Sequence, residues 1–289
     1  MPDHDFNEPQ HGLPSGETFI STADPPNPPK AFDQVLVPLD GSAFSRTAMP
    51  TARALAHRFG AKLQTVDVVP HGGAAHVADL ARGRGSALVC LSDRPRGRIA
   101  GAVLNSLSDA VLRQMALPIV VVGPMAERPG WDPEPRGWPT PLSAKEIVAC
   151  VDGTPGSEQV LGEAAAWATA LGKSLTILTV IKDEPEPVRQ RSGVAQHRTP
   201  VGAAEYVDGL VDRWATADLE IDGVVLRDPI SPASAVRTHL ARRPAALLAL
   251  VAPDRSGLRR VRRGATAAKM IRASSAPCLV VPGVEEGGA

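Results

Sequence analysis

The chain is 289 residues long, and its 31 basic and 31 acidic side chains cancel to a formal net charge of zero, so no global field draws it to nucleic acid or to a membrane surface. At about 100–200 residues per domain, that length points to two domains. A content of 43% hydrophobic and 21% charged residues suits a globular protein, while 3% aromatics leaves the core to Val, Leu, Ile and Ala.

Residues 1–31 carry proline, glycine and acids without periodicity, as in Ala23-Asp24-Pro25-Pro26-Asn27-Pro28-Pro29, and read as a disordered leader. Their start, Met1-Pro2-Asp3-His4-Asp5, is too acidic for a secretion signal, and no apolar run reaches the roughly 18 residues of a membrane-crossing helix. A cytoplasmic location is the expectation. The first domain, 32–124, opens with an expected strand at 34–39. Ala48, Ala52, Leu55, Ala56 and Phe59 then recur at spacings of three and four, which predicts an amphipathic helix over 44–58 stopped by Gly60. Strands are expected at 63–69 and 86–91, with only the stretch 70–85 between them. A parallel crossover takes a dozen or more residues, so this gap holds one short helix, 74–82, and no helix-strand-helix unit. A loop at 92–101, a helix at 102–115 and a strand at 118–122 complete the domain.

Proline density over 124–144, with Trp131 and Trp138, forbids regular structure and makes 125–144 a stiff linker. The second domain, 145–283, has strands expected at 146–151, 174–181, 222–226, 246–252 and 278–281. Its helices are expected at 155–171, 201–217, 233–243 and 264–274, with a mobile loop at 182–199 and a tail at 284–289.

The chain states its main motif twice. Val35-Leu36-Val37-Pro38-Leu39-Asp40-Gly41-Ser42 returns as Ile147-Val148-Ala149-Cys150-Val151-Asp152-Gly153-Thr154, which sets Asp40 against Asp152 at an offset of 112. Gly60-Ala61-Lys62-Leu63 matches Gly172-Lys173-Ser174-Leu175 at that same offset. Further on, Ala87-Leu88-Val89-Cys90-Leu91 matches Ala246-Leu247-Leu248-Ala249-Leu250, and Pro118-Ile119-Val120-Val121-Val122 matches Pro277-Cys278-Leu279-Val280-Val281, both at an offset of 159. The offset grows along the chain, so the first copy is the shorter one and has lost the difference, 159 less 112, from its middle. A unit this long is a duplicated domain, since solenoid repeats run to roughly 20–50 residues. Alternating strands and helices predict an α/β fold of two doubly wound, Rossmann-like parallel sheets in the order 3-2-1-4-5, the first lacking its third, edge strand and a helix.

With these pieces in order, twice, the chain resembles the universal stress protein family in its tandem two-domain form, over about 32–124 and 145–283. The resemblance implies a nucleoside beside Asp40, Gly41 and Ser42 in one half and beside Asp152, Gly153 and Thr154 in the other. The plainer reading of each trio is an Asx-turn and helix cap. Nucleotide-binding members of the family carry a G-x2-G-x9-G-[ST] loop, whose glycines bring backbone N–H groups close to phosphates. Counted back from Asn105 and Ser106, the two earlier glycine positions hold Ser92 and Pro95, and counted back from Gly264 and Ala265 they hold Val251 and Asp254. Pro95 has no N–H to offer, Val251 is bulky, and Asp254 repels phosphate. Arginines stand nearby instead: Arg94 and Arg96 beside Gly97, and Arg255 and Arg259 flanking Gly257, with Thr266 after Ala265. Their side chains could hold the phosphates of ATP, against a plainer reading as solvated loop and helix faces.

Cys90, Cys150 and Cys278 lie in apolar runs and read as buried thiols, the histidines show no metal spacing, and no G-x-S-x-G elbow is present. The resemblance thus implies a non-catalytic stress-response or regulatory protein that binds an unidentified protein partner. Its two domains are expected to pack as an intramolecular pseudo-dimer, with further homo-oligomerisation open. Two alternatives stand beside it: an ATP-binding, slowly hydrolysing protein using the loop arginines, and a binder of nucleic acid or an acidic partner through the arginines of 255–272. Zero net charge and the lack of interleaved aromatics disfavour the last.

Overall fold

The computed structural model describes residues 32–68, 73–83, 87–93, 111, 117–126, 142–182, 200–228, 230–252 and 260–283. The expected leader, most of the helix at 102–115, the linker over 127–141, the insertion at 183–199 and the tail lie outside them.

In the first half, β1 (Gln34–Leu39) leads through a 3-10 turn (Phe44–Ala48) into α1 (Met49–Phe59), followed by β2 (Lys62–Asp67), α2 (Gly73–Gly83), β3 (Ala87–Ser92) and β4 (Ile119–Val122). The second half runs β5 (Glu146–Val151), α3 (Pro155–Glu158), α4 (Val160–Leu171), β6 (Ser174–Lys182), α5 (Pro200–Trp214), β7 (Ile221–Asp228), α6 (Pro232–Arg242), β8 (Leu247–Val251), α7 (Arg260–Ala273) and β9 (Cys278–Val281).

The helix expected as continuous over 44–58 is a 3-10 turn and then an α-helix. Pro50, in the first turn of α1, has no N–H with which to extend the helical ladder backwards. The helix expected over 155–171 is likewise broken, at Gln159, which the offset of 112 matches to Thr47. Both α1 and α4 end on a left-handed glycine, Gly60 at φ 64° and Gly172 at φ 63°. The N–H of the next residue bonds back five positions in each, Ala61 to the Ala56 carbonyl at 2.9 Å and Lys173 to that of Ala168 at 2.8 Å. This Schellman geometry turns the chain directly into β2 and β6. The other differences are at ends: α5 stops at Trp214 rather than 217, and α7 begins at Arg260 rather than 264.

All the strands of the described residues lie in one sheet, in the order β2-β1-β3-β4-β9-β8-β5-β6-β7. Each half is parallel, and β4 joins β9 antiparallel. The second half has the expected order with β7 at the edge, and the described part of the first half has the same order without that strand. The residues of β2 suit its position as an edge. Lys62, Thr65 and Asp67 are exposed, whereas their repeat equivalents in β6, beneath β7, include the buried Ile177 and Thr179. Charged groups on an edge strand keep it from pairing with other chains, so the shortened sheet ends in water without a sticky border.

Two apolar layers cover the sheet, and each is continuous across the β4–β9 junction. One joins Val35, Val37, Leu88 and Val120 to Ile147, Ala149 and Leu279 under α1 and α4. The other joins Leu36, Val89 and Val121 to Val148, Leu248 and Val280 under α2, α6 and α7. Alternate residues of β1 thus face opposite layers, as a strand buried on both sides requires. At the junction Phe32 and Phe59 of the first half pack on the fully buried Trp167 of α4, with ring centroids 5.6 and 5.3 Å away. The indole N–H of Trp167 donates to Glu163 Oε1 at 2.8 Å, so the tryptophan is buried with its polar atom satisfied.

Candidate ligand site at the strand ends

Doubly wound sheets take ligands beyond the carboxyl ends of their strands, where β1 gives way to Asp40 and β5 to Asp152. Both turns are built from the same five bonds. Asp40 Oδ1 accepts from the Ser42 N–H at 3.0 Å and from the Ser42 hydroxyl at 2.5 Å. Ser42 Oγ then accepts from the Ser45 N–H at 3.2 Å, while Ser45 Oγ donates to the Ser42 carbonyl at 2.9 Å and accepts from the Asp40 N–H at 3.3 Å. In the second half Asp152 Oδ1 accepts from Thr154 N–H and Oγ1–H at 3.1 and 2.6 Å, and Thr154 Oγ1 caps the Ser157 N–H at 3.3 Å. Ser157 Oγ donates to the Thr154 carbonyl at 2.8 Å and accepts from the Asp152 N–H at 3.0 Å.

The glycine of each trio makes this possible: Gly41 and Gly153 sit at φ 80° and 79°, a region that favours glycine. Ser42 donates to Asp40 and thereby holds its carboxyl below the ordinary aspartate range, partly opposed by burial. One oxygen of each carboxylate, Oδ1, and the two hydroxyls are therefore engaged by their own turns. Ser45 and Ser157, which match each other in the repeat, complete the network and are site residues that the shorter motif does not include.

Around the second turn Tyr206 of α5 donates to Glu158 Oε1 at 2.9 Å, and Arg213 Nη1 reaches Glu158 Oε2 at 3.2 Å. Burial, then the negative charges of Glu158 and Asp152, push the Tyr206 phenol upward, so it is a hydrogen-bond donor at neutral pH and not a base. These residues escape sequence reading because Glu158 and Tyr206 meet only when α5 packs beside α3.

At the other wall, Ser92 and Val251 occupy the first glycine position of the phosphate loop. Ser92 Oγ lies 2.8 Å from Thr47 Oγ1 and 3.5 Å from the Ser45 carbonyl, so it is taken up by the 3-10 turn. Val251 Cγ1 stands 3.4 Å from where a Cβ on Gly283 would be, with Gln159 Oε1 3.9 Å from the same point. The space that a glycine would open there is filled. Gly264, Ala265 and Thr266 lie inside α7, past its first turn. The free N–H groups of a helix belong to its first turn, so these three residues bond within the helix. Arg260, Arg262 and Arg263 likewise belong to α7. Arg94, Arg96, Gly97, Asn105, Ser106, Arg255 and Gly257 lie outside the described residues.

Burial pushes the thiols of Cys90, Cys150 and Cys278 up to about 12, which leaves them protonated and unreactive. Among the described residues no group of three His, Cys, Asp or Glu side chains could hold a metal ion. Among the same residues no helix is long and apolar enough to cross a membrane.

Residues 143–282 match the model of the universal stress protein family. A search of curated protein sequences returns no match. Among solved structures, a universal stress protein from Archaeoglobus fulgidus DSM 4304 is similar over 89% of this chain and 99% of its own, with a TM-score of 0.55 at 13% identity. A putative universal stress protein from Pseudomonas aeruginosa UCBPP-PA14 is similar over 88% of this chain and 94% of its own, with a TM-score of 0.51, also at 13% identity. At such identities the likeness is one of fold, and it extends over both halves. Residues 143–282 thus carry a domain that matches the universal stress protein family, while the likeness of the first half is one of fold.

Proposed function

We propose that this chain is a tandem universal stress-type protein that acts by binding a protein partner rather than by catalysis, and that its strand-end sites are no longer shaped for ATP. The observation that carries this reading is the α7 entrance. Val251 fills the space beside Gly283, and Gly264 sits within the helix, where its N–H is already bonded. At these two positions a phosphate meets a valine and a bonded N–H, where the glycines of the family loop would offer close backbone approach. The protonated Tyr206 and the buried thiols add no general base and no nucleophile. The first half is read as a second, shortened domain of the same kind, a reading supported by the repeated Asp turn, the equivalent helix ends and the shared strand order. A cytoplasmic location is part of the same proposal.

A hydrolysis assay with ATP and magnesium tests the absence of catalysis. No phosphate release above that of buffer is expected. Turnover by the full chain, lost in Arg94→Ala/Arg96→Ala or in Arg255→Ala/Arg259→Ala, would establish the alternative in which loop arginines replace the glycines. Against the nucleic-acid alternative stands Arg272 of α7, which is engaged by Asp93 at 3.2 Å.

A further inference from the structure

A second concave site lies away from the Asp turns. The outer face of α1 and the end of α4 enclose an open cleft of about 560 Å³. Its titratable lining is entirely basic: Arg53, His57 and Arg58 from the first half and Lys173 from the second, with Leu142 and Leu171 supplying apolar wall. Within the second half Lys173 precedes β6 and Asp152 follows β5. These parallel strands pair in register from Glu146 with Ser174 to Val151 with Thr179, which separates the two sites by about 20 Å.

These basic side chains are not required by the fold. The offset of 112 matches Arg53, His57 and Arg58 to Ala165, Thr169 and Ala170 of α4, which builds the same helix without charge, and it matches Lys173 to Ala61. Favourable interaction with the end of a helix dipole accounts for His57 and Arg58 in the last turn of α1. It does not account for Arg53, in an earlier turn, or for Lys173 arriving from another element.

Among the described residues no acidic side chain forms an ion pair with any of the four, whereas Arg82, Arg213, Arg243 and Arg272 each have one. Arg58 extends over the second half until Nη2 is 3.7 Å from where a Cβ on Gly172 would sit, so its guanidinium is set against the turn that carries Lys173. Burial first, and the Arg58 charge second, lower the affinity of Lys173 for its proton. A partly desolvated ammonium beside a guanidinium is the arrangement that an anion relieves. Two guanidinium forks supply paired donors that match phosphate oxygens.

We propose that this cleft binds a small molecule carrying two or more linked phosphate groups, held by Arg53, Arg58 and Lys173 across the junction of the two halves, with its organic part against Leu142 and Leu171. The volume lies within the range of about 300–1,000 Å³ usual for small-molecule sites. Because α1 and Lys173 come from different halves, an occupant also ties them together.

Inorganic pyrophosphate is the probe, titrated into the full chain at low salt by calorimetry. Saturable binding at one site per chain is expected, weakened at least tenfold in Arg58→Gln/Lys173→Gln. The control is Arg82→Gln/Arg237→Gln, which removes the same charge from exposed positions on α2 and α6 and is expected to bind as the unsubstituted chain does. Should circular dichroism show the first pair unfolded, Arg53→Gln alone takes its place, with a three- to tenfold loss expected. No saturable binding, or equal weakening in the cleft and control variants, would overturn the proposal.

Discussion

Val120 and Leu279 are equivalents in the repeat, and they stand directly opposite each other in the antiparallel pairing of β4 with β9. Their neighbours obey the same rule: Ile119 pairs with Val280, the equivalent of Val121, and Val121 pairs with Cys278, the equivalent of Ile119. A contact in which each residue meets its own counterpart is what a twofold axis produces between identical chains. Here the axis falls between two halves of one chain, through the Val120 and Leu279 pair.

Because both apolar layers cross that pair, the halves are expected to unfold together. Leu279, fully buried, is expected to cost about 2–5 kcal/mol when replaced by alanine. Urea unfolding of Leu279→Ala followed by circular dichroism and by tryptophan fluorescence should show one transition shifted as a whole. Two separated transitions in the unsubstituted chain would show independent halves.

Trp167→Ala is expected to destabilise by about 3–5 kcal/mol, since it removes the fully buried ring on which Phe32 and Phe59 pack. Thermal unfolding monitored by circular dichroism reads the loss. A change below about 0.5 kcal/mol, the size of a surface substitution, would mean that the aromatic contact is not a structural anchor of the junction.

Glu163 carries the pH dependence of the same contact. Burial raises its carboxyl above the ordinary value, against the opposing effect of the Trp167 hydrogen bond. A raised acid favours the folded state while protonated, so its contribution is complete below the unfolded value and is lost as pH rises through the folded one. Glu163→Gln keeps an acceptor for the indole N–H and cannot ionise. Its stability relative to the unsubstituted chain is therefore expected to improve from pH 4 to pH 8, and a difference that stays constant with pH would contradict the assignment.

Ser45→Ala and Ser157→Ala each delete one hydroxyl that both donates and accepts in an Asp turn. Each is expected to cost about 1 kcal/mol in denaturant unfolding, by similar amounts in the two halves. A loss confined to one half would mean that the two networks are not equivalent in energy.

Much of this architecture was legible in the residues. The Asp-Gly pairs, the helix-stopping Gly60 and Gly172, and the short gap before β3 are local signals, and each specified an element or the loss of one. The β4–β9 pairing was not legible, because Val120 and Leu279 carry no mark that distinguishes a strand paired within its domain from one paired across it. Helix ends shifted where capping and packing outweighed pattern: Pro50 divided the first helix, and α7 began at Arg260, which moved Gly264 from the expected first position of the helix to a place past its first turn. At the site, Asp40, Ser42, Asp152 and Thr154 took the Asx-turn role that their spacing allowed. Glu158, Tyr206 and Arg213 converge from elements far apart in the chain, and periodicity holds no record of such a meeting.

The most direct measurement is a calorimetric titration with ATP and magnesium of the nucleotide-stripped Arg58→Gln/Lys173→Gln chain, in which only the strand ends remain to report. The predicted result is no saturable binding by a protein that circular dichroism shows to be folded. Stoichiometric binding, abolished by alanine at Arg94 and Arg96 or at Arg255 and Arg259, would contradict the claim that these sites are closed to nucleotide.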